Sequence, residues 1–222
     1  MFFKPENNQA NSDYENAEAK YLAQIFRRVE DINFVLQKNA DANPFDKSSL
    51  TKNEAWRGFK WKAETPHKYI PVTETAIIPD SQKLTSYGES FTRLTIQPSF
   101  VTGKYVVVKE DIHIFEKANR ILFLGVEVDP LEAEQYLLGF KPELLTEKPA
   151  LFHVEHAITG TEEQPIATWQ MIRLCDRPLT DPDEAETVKK IRDLISGNTG
   201  IRIYMQTIKQ LEDEQAPRND MN

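Results

Sequence analysis

Four short runs of apolar residues dominate the middle of the chain. They cover residues 91–97, 104–109, 112–115 and 120–128. Valine, isoleucine, tyrosine and phenylalanine supply most of these positions, and such residues in runs this short predict strands rather than helices. The breaks between the runs are too short to hold crossover helices, so neighbouring strands should be antiparallel.

The second half of the chain continues the sheet and adds helices. Two apolar stretches flank a polar turn and predict a β-hairpin from residues 150–158 and 166–175. Asp129 and Asp181 are each followed by proline, and an aspartate cap with proline at the first helical position is typical of a helix start. Three helices are therefore predicted, over residues 131–140, from Pro182 to near Gly197, and over residues 201–215.

The N-terminal region carries a second kind of pattern. Ser12 and Glu15 match a capping box, which predicts that a helix begins at Ser12. Apolar residues then recur at spacings of three and four, as in an a/d seam, until about Lys38. The seam residues are Leu22, Ile25, Val29, Ile32 and Leu36. We expect an amphipathic helix over residues 12–38 whose stripe packs on the protein's own sheet or on a partner.

These elements predict an α+β fold with an antiparallel sheet of about six or seven strands, an N-terminal amphipathic helix and C-terminal helices. We expect a flexible segment, one α+β domain and a polar tail, at residues 1–11, 12–211 and 212–222 respectively. Within the domain, the prolines between residues 39 and 90 predict an irregular region. Residues 91–211 should hold the sheet and the later helices.

Composition places the chain among cytoplasmic globular proteins. Of its 222 residues 40% are hydrophobic, which is ample for a core. The longest apolar run is far shorter than the roughly 20 residues of a membrane-spanning helix. The N-terminus lacks the apolar segment of a signal peptide, and Cys175 is the only cysteine. These features predict a reducing, cytoplasmic location without a membrane partner.

Charge and glycine content narrow the function classes. The net charge is −8, and residues 112–222 account for all of it with 12 basic and 20 acidic side chains. An acidic surface is a poor match for phosphate backbones. The chain has only eight glycines and no glycine-rich phosphate loop or known catalytic signature. We therefore predict no cofactor and no catalytic residue.

The histidines offer one alternative, a metal-dependent enzyme. His153 and Glu155 share one face of a predicted strand, whereas His156 points to the other face. With His113 from another strand, His153 and Glu155 supply the imidazole and carboxylate ligands that zinc or iron prefers. The spacing matches no known metal motif, so sheet-face histidines without a metal are the alternative interpretation.

Residues 52–68 offer another alternative, a nucleic-acid site. Cationic and aromatic side chains alternate there, as required to bind phosphates and stack on bases. The candidate residues are Lys52, Trp56, Arg57, Lys60, Trp61, Lys62 and Lys68. The competing interpretation is that the tryptophans anchor this segment in the core while the lysines face water.

The favoured functional hypothesis is a non-catalytic assembly or protein-interaction subunit of a larger complex. No catalytic motif was found, and the seam from Leu22 to Leu36 has more apolar surface than one sheet contact covers. Excess apolar surface is typical of a partner site. We therefore expect protein partners and a homo-oligomer, with nucleic-acid binding as the runner-up.

Overall fold

The computed structural model describes residues 9–99, 101–146, 150–196 and 199–215. The predicted flexible segment at residues 1–11 and the polar tail at 212–222 therefore lie largely outside the described residues. Residues 9–11 begin the first helix, and residues 212–215 end the last one.

Eight strands in the described chain form one antiparallel sheet, which confirms the predicted fold class. The order is β1-β8-β7-β6-β5-β4-β2, and β3 pairs with β4 beside β2. The strands are β1 (Ile25–Asp31), β2 (Glu74–Ile77), β3 (Lys83–Thr85), β4 (Gly88–Pro98), β5 (Tyr105–Phe115), β6 (Arg120–Val126), β7 (Phe152–Gly160) and β8 (Pro165–Arg173). The runs 104–109 and 112–115 form a single strand, because Glu110 and Asp111 stay in register with β4.

The helices of the described chain are α1 (Gln9–Lys20), α2 (Ile32–Lys38), α3 (Lys52–Glu64), α4 (Pro130–Tyr136), α5 (Pro182–Ser196) and α6 (Thr199–Gln215). Both aspartate-proline starts are confirmed. The Asp129 carboxylate accepts the backbone N–H of Leu131, and Asp181 accepts that of Asp183. None of the described helices is long and apolar enough to cross a membrane.

The N-terminal helix is present, but its predicted extent to Lys38 is wrong. It ends at Lys20, and β1 occupies the middle of the predicted seam before α2 begins at Ile32. As a result, Ile32 and Leu36 are buried, Leu22 is 70% exposed and Val29 is 56% exposed. All seven residues of β1 pair with β8. Covering the edge of β8 satisfies its backbone groups, and this tertiary gain outweighs the helical spacing.

The region 39–90 is more regular than predicted, because it contains α3. Thr51 caps this helix, and its hydroxyl accepts the N–H of Glu54 while the Glu54 carboxylate accepts the N–H of Thr51. This capping box is genuine, whereas the one predicted at Ser12 lies inside α1. Thr51 and Glu54 carry the same sequence signature as Ser12 and Glu15, but only at Thr51 does it coincide with the start of a helix.

Helices cover both faces of the sheet. On one face, α1 packs Tyr14 and Ala17 against Leu122 and Ile172. On the other face, α3 and α6 belong to the largest apolar cluster of the described chain. We refer to this second side as the inner face. The alternation of side chains along each strand decides which residues reach it.

Gly58 allows α3 and α6 to cross closely. A Cβ at this position would lie 2.0 Å from Oγ1 of Thr207, whose hydroxyl also donates to the Ile203 carbonyl at 2.8 Å. We expect Gly58→Ala to lower the free energy of unfolding by about 1–3 kcal/mol through overpacking, despite the better helix propensity of alanine. Denaturant unfolding measures this change.

The control for Gly58→Ala is the same substitution in a Thr207→Ala background. Removing Oγ1 and Cγ2 leaves Cβ of residue 207 at 2.8 Å as the closest contact. The loss caused by Gly58→Ala should shrink there. A stabilising effect of Gly58→Ala in the native background would contradict this account of the helix crossing.

Candidate functional site

A cavity of about 490 Å³ lies between the inner face of the sheet and helices α3, α5 and α6. Most of its wall is apolar, and its residues come from strands β1 and β4 to β8, from helices α3, α5 and α6, and from loops that include residues 70–72. The apolar residues include Phe26, Ile70, Phe123, Val154, Trp169 and Ile203. A neighbouring hollow beside Gly125 measures only about 40 Å³. Pockets of roughly 300–1,000 Å³ are typical of small-molecule sites, so the larger cavity is the candidate site.

An ion pair crosses the floor of the cavity. Arg93 on β4 and Glu110 on β5 are register partners, and their side chains meet at 2.5 Å. Arg93 also donates to the backbone carbonyls of Lys62, at 3.3 Å, and Ala63. The guanidinium group therefore fixes the last turn of α3 above the sheet, where unpaired helical carbonyls favour a cation.

The Lys62 side chain extends from α3 into the cavity wall and is only 7% exposed. Its Nζ lies 3.5 Å from Nδ1 of His156 and 4.8 Å from the centre of the Phe123 ring. No described carboxylate forms an ion pair with it. Burial, reinforced by the charge of Arg93 and opposed by Glu110, lowers the pKa of Lys62 to about 7. A large share of this amine is therefore neutral near neutral pH.

His156 on β7 lies in an aromatic cluster beside Lys62. Its ring centre is 4.3 Å from that of Trp169, 4.9 Å from Phe123 and 5.4 Å from Phe59. Burial, together with the charges of Lys62 and Arg93, lowers the pKa of His156 well below its ordinary value. The neutral imidazole keeps one ring nitrogen as a hydrogen-bond acceptor.

A second polar group lines the cavity near its other wall. Arg28 on β1 forms an ion pair with Glu30, and the Tyr204 hydroxyl of α6 donates to the same carboxylate at 2.5 Å. These two contacts provide Glu30 with a cationic partner and connect α6 to the edge of the sheet. The other polar cluster of the wall consists of Lys62, Arg93, Glu110 and His156. It has only one carboxylate for two basic side chains and an imidazole. It is therefore suited to an oxygen-bearing group of a ligand.

The predicted metal residues lie on the opposite face of the sheet from the cavity. His113 contacts the Tyr87 hydroxyl at 2.9 Å through Nδ1, and Glu155 forms an ion pair with Arg120 at 2.5 Å. Glu155 thus has a cationic partner of its own beneath α1. Within the described ranges, no three His, Cys, Asp or Glu side chains are placed to hold a metal ion, so His113, His153 and Glu155 do not converge.

The predicted nucleic-acid residues are mostly on α3, but they do not form one surface. Trp56 is buried, and its indole N–H donates to Glu116 at 3.0 Å. Lys60 pairs with the same carboxylate, Arg57 pairs with Glu214 and Lys62 faces the cavity. Arg57 and Lys60 lie over the rings of Trp61 and Trp56, at 4.7 and 5.7 Å from the ring centres, so these cations contact aromatic rings and carboxylates of the chain itself. Of the remaining candidates, Trp61 is partly buried, Lys52 is partly exposed and Lys68 is exposed.

The predicted interaction residues are also divided. They are distributed over three elements and so share no single helical face. A 3₁₀ turn holds Leu22, β1 holds Ile25 and Val29, and α2 holds Ile32 and Leu36. Their role in self-association stays a prediction, as does the homo-oligomer itself.

Sequence reasoning missed Arg93, Glu110 and Trp169 altogether. A signal for them was present, because Arg93 shares its predicted strand face with Phe91 and Glu110 shares its face with Ile112. A charged residue on the buried face of a central strand requires a partner, and the two charges are partners across the β4–β5 pair. Trp169 is likewise the register partner of both His156 and Arg28.

No protein-family model and no curated protein matches the chain. Among solved structures, the protein TTHA0849 from Thermus thermophilus is similar over 84% of this chain and 98% of its own, with 9% identity and a TM-score of 0.51. The Zhui aromatase/cyclase from Streptomyces sp. R1128 is similar over 88% and 97%, with 8% identity and a TM-score of 0.48. The di-domain aromatase/cyclase StfQ of the steffimycin biosynthetic pathway is similar over 95% and 62%, with 13% identity and a TM-score of 0.46.

The likeness to TTHA0849 shows a helix-grip-like fold, with helices packed over an antiparallel sheet. The structure of the chain also corrects the functional prediction. The favoured hypothesis of a non-catalytic assembly subunit is wrong, because it relied on a helical seam that is absent and on missing motifs. The fold instead holds a mainly apolar cavity of small-molecule size between its sheet and its helices.

Proposed function

We propose that this protein binds an apolar or aromatic small molecule in the inner-face cavity, with an oxygen-bearing group of the ligand against the polar cluster. The observation that carries the proposal is a 490 Å³, mainly apolar cavity with Lys62, Arg93 and His156 in its wall. Burying a ligand's apolar surface there supplies binding free energy, and the polar cluster fixes its orientation.

The wall chemistry favours a ligand with one polar end. Phe123 and Trp169 offer flat apolar surfaces beside the cluster, and Phe26 and Ile203 extend the apolar wall away from it. Lys62 lacks a carboxylate partner among the described side chains, and Arg93 shares its charge with only Glu110. A carbonyl or carboxylate oxygen would complete the hydrogen bonding of these donors, whereas a purely hydrocarbon ligand would not.

Binding of the fluorescent dye 8-anilinonaphthalene-1-sulfonate tests this proposal, because the dye combines fused aromatic rings with an anionic group. We expect a saturable rise in dye emission in the native protein. Val154→Trp should reduce the affinity by at least tenfold, since Val154 lines the cavity and the larger side chain would occupy part of its volume. Equilibrium titration of dye emission measures both affinities.

The matched control is Val29→Trp, which adds the same ring at a position that is 56% exposed on β1 and outside the cavity wall. This variant should bind the dye like the native protein. Equal dye binding by the native protein and by folded Val154→Trp would place the dye elsewhere and would refute binding in the cavity.

A further inference from the structure

We propose that Lys62 captures the carbonyl group of a ligand as a Schiff base, so that the ligands of this site are aldehydes or ketones on an apolar or aromatic frame. This inference rests on the proposed function, because the ligand must first enter the cavity. It adds to that function a covalent step and a chemical class of ligand.

The position of Lys62 suits a nucleophile better than a structural cation. The side chain lies in the cavity wall, and its Nζ has a ring nitrogen of His156 at 3.5 Å and the Phe123 ring beneath it. A lysine that stabilised the fold by its charge would need a carboxylate partner when so deeply buried. The negative charge of Glu110 acts on the Lys62 amine, but the Glu110 carboxylate already pairs with Arg93 at 2.5 Å.

The charged surroundings keep this amine in its reactive form. The titratable groups that act on Nζ are Arg93 from β4, Glu110 from β5 and His156 from β7. Burial and the neighbouring guanidinium disfavour the ammonium, and the pKa of Lys62 falls to about 7. A desolvated lysine beside another cation is a recognised way to activate an amine toward carbonyl carbons. A carboxylate ligand would instead require the ammonium form.

The chemical step balances without any other reactant. The Nζ lone pair adds to the carbonyl carbon, and the carbonyl oxygen becomes a hydroxyl as the nitrogen gives up one proton. Loss of the second nitrogen proton with that hydroxyl releases water and leaves a carbon–nitrogen double bond. His156 Nδ1, at 3.5 Å from Nζ, is placed to accept a hydrogen bond from the amine as the nitrogen proton passes to the carbonyl oxygen, and Arg93 lines the same cavity with a buried Nε–H that has no partner among the described atoms.

Reductive trapping tests the inference. The native protein is incubated with 2-naphthaldehyde and sodium cyanoborohydride at pH 7.5, and adducts are located by peptide mass spectrometry. We expect one naphthylmethyl group per chain on Lys62, formed on the order of 100-fold faster than on an ordinary exposed lysine, because only about one in a thousand such lysines is neutral at this pH. The rate at which Lys62 is labelled should rise with pH, with its midpoint near pH 7.

Two variants and one analogue separate the possible outcomes. Lys62→Met should lose the fast adduct, whereas Lys60→Met should keep it, since Lys60 on the same helix pairs with Glu116. The alcohol 2-naphthalenemethanol has the same rings without the carbonyl, and it should displace the dye from the native protein and from Lys60→Met. Circular dichroism and the melting temperature show whether Lys62→Met has kept its fold.

The outcomes are distinguishable. If the alcohol displaces the dye but the aldehyde labels Lys62 no faster than Lys60, the Schiff base is refuted and cavity binding stands. If neither the alcohol nor the aldehyde displaces the dye, and no adduct forms at Lys62, both proposals are refuted.

Discussion

Glu184→Met should destabilise the protein by about 3–5 kcal/mol, because it would leave a buried guanidinium without its carboxylate. Glu184 on α5 has no exposed side-chain surface, and it forms an ion pair with Arg173 on β8, whose side chain is 6% exposed. The same carboxylate accepts the Cys175 thiol at 3.5 Å and lies 3.4 Å from the largely exposed Arg177. The melting temperature should fall on the order of 10 °C for a chain of this size.

Two comparisons make this prediction specific. Glu186→Met removes an exposed pair with Lys190, 3.3 Å apart, and should change the stability by less than about 0.5 kcal/mol. Combining Arg173→Met with Glu184→Met should recover most of the loss, because no unpaired buried charge remains. Denaturant unfolding measures all three variants. If Glu184→Met is as stable as Glu186→Met, the buried pair does not hold α5 on the sheet.

Lys62→Met should remove a pH dependence of stability that the native protein shows above neutral pH. The folded pKa of Lys62, about 7, lies below the ordinary lysine value of about 10.4. Between these values the unfolded chain binds a proton that the folded chain does not, so the free energy of unfolding rises with pH. The destabilisation caused by burying the Lys62 amine is fully present below about pH 7 and disappears toward pH 10.

The native protein should therefore gain on the order of 3 kcal/mol between pH 7 and pH 9.5, and Lys62→Met should gain much less. The pKa of the neighbouring His156 is also lowered, so its titration acts in the same direction below about pH 6.5. Stability measurements that start at pH 7 therefore report the titration of Lys62 without that of His156. Lys60→Met, altered at an exposed ion pair, is the control and should keep the native slope. An unchanged slope in Lys62→Met would mean that its amine stays charged in the folded state.

The local sequence was sufficient for much of the fold. Alternating and β-branched runs predicted the central strands, and the pair formed by β7 and β8 followed from two such runs around a turn. Asp129 and Asp181 predicted the starts of α4 and α5 correctly. Each of these signals depends on contacts between residues close in the chain, and such contacts need no knowledge of the rest of the fold.

The tertiary structure alone decided the remaining features. Residues 25–31 carry helical spacing, but they form a strand because the edge of β8 offers them a complete set of backbone partners. The candidate site likewise joins Lys62 to Arg93, 31 positions away, and to His156, 94 positions away. The sequence placed His156 on a strand face apart from His153 and Glu155, but it could not identify what covered that face. Only the packing of α3 over the sheet brings the amine, guanidinium and imidazole together, and burial, followed by the charge of Arg93, then lowers the pKa of the amine.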